Sequence, residues 1–453
     1  MDKKKINILI LSLFIVFTSN ISMYLIAKWT NTERLILNID YFFPLIFLAL
    51  RSNILFLISF VIVSFFDFLI IFSQIFPFIH LSDLFYLLKF SFISSNIYKI
   101  YGIVIFSFLV LQIYLIIRIF RIEFGKVLLI YFNICIFSYA FYVNFAESKG
   151  GKFWKPEESQ VIASQALNYF DYRNKGFIKT YNMDGDAFQN VKIEGATHEL
   201  FKTPFVANRI LLIVNESWGV PLEKNIQNSV LEPLLKNNRI DGVKQGSLNF
   251  EGFTIAGELR ELCQKVVTHF NLKNQEIGFE KCLPNIYRHA GYKTISVHGA
   301  LGLMYDRQYW YPRAGFRKMM FRDNELNLPY SHCYSFPGNC DQDIAIKIEQ
   351  QFKENEKIFL YWLTLNTHAL YDERDLKVDL FDCEKYNVDV NTGSCRNLKL
   401  QTQYFDTLSK LVSSPHLKGT KVIVVGDHKP PIISEEISLF HEAKVPIVEF
   451  NVL

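Results

Sequence analysis

The chain has 453 residues, a formal net charge of +4, and half of its residues hydrophobic. That length exceeds one ordinary domain. The mild charge, with no basic stripe interleaved with aromatics, argues against a nucleic-acid partner.

Apolar residues crowd into the first third. Between Ile6 and Phe145 several runs reach the roughly 20 residues needed to cross a bilayer. Five spans are predicted: about Ile6–Ala27, Leu35–Leu50, Ile54–Phe76, Ile100–Phe120 and Lys126–Phe145. The second is short, and Arg51 allows it to pair with the third as a hairpin. Asp67 in the third must face other helices or a polar cavity rather than lipid. Asp83 and Lys89 interrupt Leu81–Ser95, which is placed at the membrane surface, with a re-entrant turn as the other option. The basic start and apolar middle of Met1–Ala27 also resemble a signal peptide, but the further spans favour an uncleaved helix.

Orientation follows from the basic residues. With the N-terminus inside, Lys3, Lys4, Lys5, Arg51, Arg118, Arg121 and Lys126 are cytoplasmic, against Lys28, Arg34, Lys89 and Lys99 outside. An odd number of spans then puts everything after Phe145 outside the cytoplasm. The linker 147–160, with Trp154 and its lysines, either lies along the interface or is a solvated connection. The expected domains are a transmembrane part at 1–146, a linker with connecting helices at 147–204, and a soluble domain at 205–453.

Cysteine usage points to the same compartment. Cys135 lies in the fifth span, while Cys263, Cys282, Cys333, Cys340, Cys383 and Cys395 all lie in the soluble part. An even set at short spacings suits three disulfides in an oxidising compartment. Sequence leaves the pairing open, and neighbours in the chain (263–282, 333–340, 383–395) are the simplest choice. A cysteine metal site is the rival reading, disfavoured because no CxxC pair occurs.

In the soluble part, "RILLIVNES" (209–217), "YKTISVHG" (292–299), "KIFLYWLTLNTH" (357–368) and "KVIVVGDH" (421–428) are continuous apolar runs between helical stretches. Such runs suit strands buried on both faces, in a parallel or mixed sheet covered by helices. Ligands in open α/β sheets sit beyond the carboxyl ends of the strands. The residues there are Glu216, His298, His368, Asp427 and His428. A single histidine after a strand is more often a cap or a core residue. Four strand ends that each supply a carboxylate or imidazole form a ligand set for Zn²⁺ or Mn²⁺. Gly426 and the prolines at 430 and 431 indicate that the last strand stops, so Asp427 and His428 can both turn toward one ion.

In "GFTIAGELREL" (252–262) a glycine-flanked turn carries Thr254 into a helical pattern. A helix start stabilises negative charge, either an alkoxide on Thr254 or phosphate oxygens beside it. The plain alternative is an N-cap.

Taken together, "ILLIVNESWG", "TIAGELRELC", "SVHGALGLMYDRQYWYPRAGF", "TLNTH" and "VVGDH" resemble the membrane-anchored phosphoethanolamine and phosphoglycerol transferases of the alkaline phosphatase and sulfatase superfamily. That group includes lipid A phosphoethanolamine transferases, lipoteichoic acid synthases and periplasmic-glucan phosphoglycerol transferases. The resemblance covers about 205–450. It implies an α-helical transmembrane bundle followed by an alkaline-phosphatase-like α/β domain with a central, mostly parallel sheet flanked by helices. It also implies that Glu216, Thr254, Asp427 and His428 hold a divalent metal, Zn²⁺ or Mn²⁺ with Mg²⁺ as a further option, and that Thr254 is the nucleophile. His298, Tyr305 and Arg307 fall where such enzymes touch the phosphate and head group, although the family often has Trp where Tyr305 stands. His368 is similar to the histidine that contacts the phosphoryl group or protonates the leaving oxygen. The expected partners are a membrane phospholipid donor and a surface glycan or lipid A-type acceptor. The expected location is the bacterial inner membrane, multi-pass, with the catalytic domain in the periplasm.

The Cys/Ser-x-Pro-x-Arg motif of sulfatases proper is absent near Thr254. Two rivals stand beside transfer: a hydrolase of the same superfamily with water as acceptor, and a non-catalytic membrane sensor or assembly protein that keeps the fold. "TIAGELRELC" is closer to the glucan phosphoglycerol transferases, whereas the six cysteines lean toward phosphoethanolamine.

Overall fold

The computed structural model describes residues 16–28, 34–50, 52–75, 162–174, 183–203, 205–369, 371–432 and 439–453, with a few isolated positions besides. The chain divides into two compact units, 1–183 and 184–453.

In the first unit, 16–28 is helical, and a helical hairpin joins Phe43–Ala49 to Asn53–Ile75. Among the described residues one helix is long and apolar enough to cross a membrane, Asn53–Ile71, with a mean hydropathy of 2.8. It matches the third expected span. The stretch expected as the second span does not form one spanning helix. A short strand, Leu37–Asn38, and a 3-10 turn, Ile39–Phe42, precede only 7 helical residues, about 10 Å of helix.

A buried polar network explains the break. Arg34 donates to both oxygens of Asp67, at 2.8 and 2.6 Å, and to Asn20 Oδ1 at 2.9 Å. Asn38 Nδ2 adds a bond to Asp67 Oδ2 at 3.2 Å. A continuous helix through Asn38 could not also present these groups to Asp67. As the sequence requires, Asp67 faces protein and is fully buried. Residues 6–15, the expected spans at 100–120 and 126–145, the segment 81–95 and the linker 147–160 lie outside the described residues, isolated positions apart.

The second unit is built on a seven-stranded sheet. The strands of this sheet and the main helices around it, in chain order, are β1 (Arg209–Asn215), α1 (Lys224–Leu235), β2 (Ile240–Asn249), α2 (Thr254–Cys263), α3 (Leu283–His289), β3 (Lys293–His298), α4 (Arg307–Ala314), β4 (Lys318–Phe321), α5 (Asp341–Glu354), β5 (Ile358–Leu363), α6 (Gly393–Val412), β6 (Thr420–Gly426) and β7 (Lys444–Val452). The strand order is β2-β7-β6-β1-β5-β3-β4. From β6 through β4 every pairing is parallel, and β7 and β2 are added antiparallel at one edge.

The continuous apolar runs form the central strands because both faces of the sheet are covered. Leu211, Ile213, Leu360, Trp362, Val422 and Val424 enter one core with side chains of α1, α5 and α6. On the other face the ring of Phe359 stacks on Tyr287 of α3 at 4.7 Å, and Tyr361 meets Tyr311 of α4. Each fully buried aliphatic side chain contributes roughly 1.5–3 kcal/mol, so the sheet centre holds the strand ends firmly in place. Three disulfides, Cys263–Cys282, Cys333–Cys340 and Cys383–Cys395, join cysteines adjacent in the sequence.

Candidate active site

Register brings the strand ends level. Gly426 of β6 lies opposite Asn215 of β1, Val214 opposite Leu363 of β5, and Leu363 opposite His298 of β3. Four neighbouring strands therefore deliver Asp427 and His428, Glu216, His368 and His298 side by side along one edge of the sheet. β6 ends at Gly426, where a Cβ would collide with the carbonyl oxygen of Trp218. Only a residue without a side chain lets the chain pass there and turn Asp427 and His428 out together.

The Thr254 hydroxyl reaches the same place from α2. Phe253 is the N-cap of that helix and makes no side-chain cap, while Thr254 is the first helical residue. Its Oγ lies 3.3 Å from Glu216 Oε2 and 3.3 Å from His428 Nε2. Thr254 is therefore not an N-cap; its hydroxyl points into the cluster. α2 can come this close because residue 257 is glycine: a Cβ there would stand 3.0 Å from the Asp427 carbonyl oxygen.

Buried carboxylates define the electrostatics. Asp427 is fully buried. Its Oδ1 accepts the backbone N–H of Ser217 at 2.7 Å and that of His428 at 2.6 Å. Its Oδ2 accepts no hydrogen bond among the described residues and lies 3.3 Å from His428 Nε2. Burial, and then the neighbouring Glu216 carboxylate, push Asp427 up to about 7. Burial opposes protonation of His428, but Asp427 and Glu216 outweigh it, and its pKa stands above the ordinary value. His428 Nδ1 donates to the Lys429 carbonyl at 2.8 Å, which aims Nε2 at the carboxylates.

This donor set fits a divalent cation. Ligand atoms of Glu216, Asp427 and His428 lie within 4.8 Å of one another, and the Thr254 oxygen joins them. Atoms that ligate one tetrahedral ion at about 2.1 Å stand about 3.4 Å apart, close to the 3.3–3.6 Å separations found here. An orphaned buried carboxylate oxygen beside an imidazole nitrogen is the local sign of a missing positive charge. A second cluster, Cys333, Cys340 and Asp375, is structural: the sulfurs form a disulfide, and Asp375 accepts the backbone N–H groups of Tyr334 and Ser335.

Of the remaining sequence-predicted residues, His368 and Tyr305 feel the charge of Asp427, and His298 feels those of Arg307 and His368. His298 Nδ1 donates to the Leu363 carbonyl at 3.0 Å, leaving Nε2 as the accepting nitrogen. Burial, and next the Arg307 guanidinium, hold its pKa well below the ordinary histidine range. His368 Nδ1 donates to the Ala369 carbonyl at 3.2 Å, and the Phe336 ring lies 4.7 Å from the imidazole. Burial pulls His368 down to about 4. Both imidazoles are therefore neutral bases at neutral pH. Tyr305, at φ 55°, and Asp306, at φ 56°, are both left-handed, a strained turn that brings the Tyr305 ring within 4.9 Å of the Arg307 guanidinium carbon.

Arg307 reveals a residue that sequence reasoning missed. Its Nε and Nη2 donate to Glu258 Oε2 at 2.9 and 2.8 Å, and Nη1 donates to the Met304 carbonyl at 3.3 Å. Glu258 Oε1 accepts the phenols of Tyr311 and, at 3.1 Å, Tyr361. Glu258 stands one helical turn beyond Thr254, and that i,i+4 spacing was the available signal. Ser217 and Gln401 were missed as well; their contacts cross from the turn after β1 to α6.

The sulfatase family profile matches residues 210–444. No curated protein matches the chain. Similar solved structures include the lipoteichoic acid synthase LtaP from Listeria monocytogenes, at 14% identity over 53% of this chain and 64% of that one, with a TM-score of 0.40. Others are the phosphoglycerol transferase GacH of Streptococcus pyogenes, solved with sn-glycerol-1-phosphate (13% identity, 58% and 78% covered, TM-score 0.40), and the C-terminal periplasmic domain of EcEptC from Escherichia coli (12%, 54% and 73%, TM-score 0.35).

Proposed function

The chain belongs to the sulfatase family, and from that footing we propose that it is a metal-dependent transferase. It moves a phospholipid head group, phosphoethanolamine or phosphoglycerol, to a cell-surface glycan or lipopolysaccharide through a phospho-threonine intermediate. One observation carries this reading. The Thr254 hydroxyl, instead of capping its helix, stands 3.3 Å from both a buried carboxylate and an imidazole whose neighbour Asp427 keeps one buried oxygen without a hydrogen bond. A threonine there, without a Cys/Ser-x-Pro-x-Arg motif, favours phosphoryl over sulfuryl chemistry.

Glu216, Thr254, Asp427 and His428 would hold the metal. Such an ion lowers the pKa of a bound hydroxyl and stabilises charge on a non-bridging phosphate oxygen. In the first displacement Thr254 Oγ attacks phosphorus, a P–Oγ bond forms, and the bond from phosphorus to the diacylglycerol oxygen breaks. The proton lost from Oγ ends on that leaving oxygen. Neutral His298 and His368, each with Nδ1 tied to a carbonyl and Nε2 accepting, are the groups suited to carry it. In the second displacement the acceptor hydroxyl attacks phosphorus, the P–Oγ bond breaks, and the acceptor proton returns to Thr254. Arg307, kept charged by Glu258, and Tyr305 form the wall proposed to face the phosphate and head group.

A lipid donor gives the anchor its purpose, since tethering raises the effective concentration of enzyme at the surface. The apolar helix Asn53–Ile71 supports membrane attachment. The three disulfides support an extracytoplasmic catalytic unit, which fits a periplasmic face of a bacterial inner membrane. The six cysteines lean toward phosphoethanolamine as the head group.

The test is a head-group transfer assay with the full chain in phospholipid vesicles. Activity is expected to vanish on chelation, return with Zn²⁺ or Mn²⁺, and be abolished in Thr254→Ala with folding unchanged. Undiminished transfer by Thr254→Ala would overturn the nucleophile assignment. Release of free head group without a modified acceptor would favour the hydrolase.

A further inference from the structure

Two of the proposed metal ligands, Glu216 and Asp427, lie 211 positions apart in the numbering, yet one residue between the two strand ends touches both. Ser217 Oγ donates to Glu216 Oε1 at 2.9 Å, and its backbone N–H donates to Asp427 Oδ1 at 2.7 Å. With Oε1 and Oδ1 so engaged, Glu216 Oε2 lies toward Thr254 Oγ and Asp427 Oδ2 toward His428 Nε2, while Oε1 also stands 3.6 Å from His428 Nε2.

Both contacts require an unusual backbone. Ser217 sits at φ 52°, in the left-handed region, where a residue with a Cβ costs about 1–3 kcal/mol and persists only if its surroundings hold it. The holding groups are on α6. Gln401 Nε2 donates to the carbonyls of Glu216, at 3.0 Å, and Ser217, at 3.2 Å, and Asn397 Nδ2 donates to the Ser217 carbonyl at 3.2 Å. Gln401 is in turn oriented by Asn215, whose Nδ2 donates to its Oε1 at 2.8 Å. Asn215 Oδ1 accepts the Thr364 hydroxyl at 3.0 Å, and Thr364 Oγ accepts the Glu216 N–H at 2.9 Å. Thr367 Oγ closes the ring by donating to the Glu216 carbonyl. Ser217, Gln401, Asn215, Thr364 and Thr367 are all buried, so each bond is shielded from water.

We infer that Ser217 is the positioning residue of the metal site: held left-handed by Gln401 and Asn397, it fixes the rotation of the Glu216 carboxylate and which oxygen of Asp427 faces the cation. The inference rests on the metal-site reading above. Groups that hydrogen-bond metal ligands in this way typically change metal affinity by about 10–100-fold when removed.

The test uses Ser217→Gly. Glycine adopts the left-handed turn without steric cost, so the backbone N–H to Asp427 is kept and the hydroxyl alone is lost. Mn²⁺ and, separately, Zn²⁺ are titrated into the metal-stripped full chain in detergent by calorimetry, and the metal-free proteins are melted in parallel. The expected result is about tenfold weaker binding in Ser217→Gly, with a metal-free melting temperature equal to or above that of the wild type. Equal affinity in variant and wild type overturns the inference while the metal site stands. A parallel loss of metal-free stability also overturns it, since the role is then structural. A wild-type chain that binds neither ion overturns the metal reading and this inference with it.

Discussion

Two buried carboxylate clusters in the catalytic unit are built on opposite principles. Around Glu258 the chain supplies everything: an arginine bonded twice through one oxygen and two phenols on the other. Around Asp427 and Glu216 it supplies two carboxyl groups, a single imidazole and a threonine hydroxyl, and it leaves one carboxylate oxygen without a hydrogen bond. Burying an unpaired charge is costly. The Glu258 carboxylate is therefore fully paired within the chain, and the second cluster reads as a socket completed by an ion from outside.

That contrast is open to direct attack. The largest effect is expected at the socket. Asp427→Asn should remove metal binding and lower head-group transfer by at least about a thousandfold. The same change should raise the stability of the metal-free protein by about 1–3 kcal/mol in urea denaturation, because it relieves repulsion from Glu216. A destabilised metal-free Asp427→Asn protein would show that the chain itself balances this charge.

Glu258→Gln is expected to behave in the reverse manner. It strands the Arg307 charge in the interior and should cost about 3–5 kcal/mol of stability whether or not metal is present. Full rescue by added metal would merge the two clusters into one.

A smaller effect sharpens the place of His368, which lies between structure and chemistry. Its pKa is pulled to about 4 by burial, whereas the unfolded chain takes up the proton near pH 6.5. As pH falls from 6.5 toward 4 the unfolded state gains this proton first, so the folded state loses up to about 3 kcal/mol, and the loss levels off below pH 4. The difference in stability between wild type and His368→Gln, measured across that window, should change by this amount with this sign. A flat difference would place the imidazole in contact with water.

The contrast also explains what could be read from the sequence. The strand-end residues were legible because a continuous run such as "KVIVVGDH" fixes both the burial of the strand and the point where it stops. The cysteine pairs were legible because short spacings bring neighbours together. Glu258, Ser217 and Gln401 were not, because their roles depend on partners that meet only in the folded sheet. Ser217 depends further on a left-handed turn that serine does not announce. In the first unit, a hydropathy window over Leu35–Leu50 registers only apolar content. It does not register the demand of Asp67 for Arg34 and Asn38, which breaks the expected second span.

The central claim is that Thr254 carries the head group between donor and acceptor. Its most direct test is peptide mass spectrometry of the metal-loaded full chain, quenched after exposure to mixed phospholipids without acceptor. The account predicts a phosphoethanolamine or phosphoglycerol adduct on the peptide that contains Thr254, absent from Thr254→Ala. An active, metal-loaded enzyme that carries no adduct on Thr254, or carries it on another residue, would contradict the account.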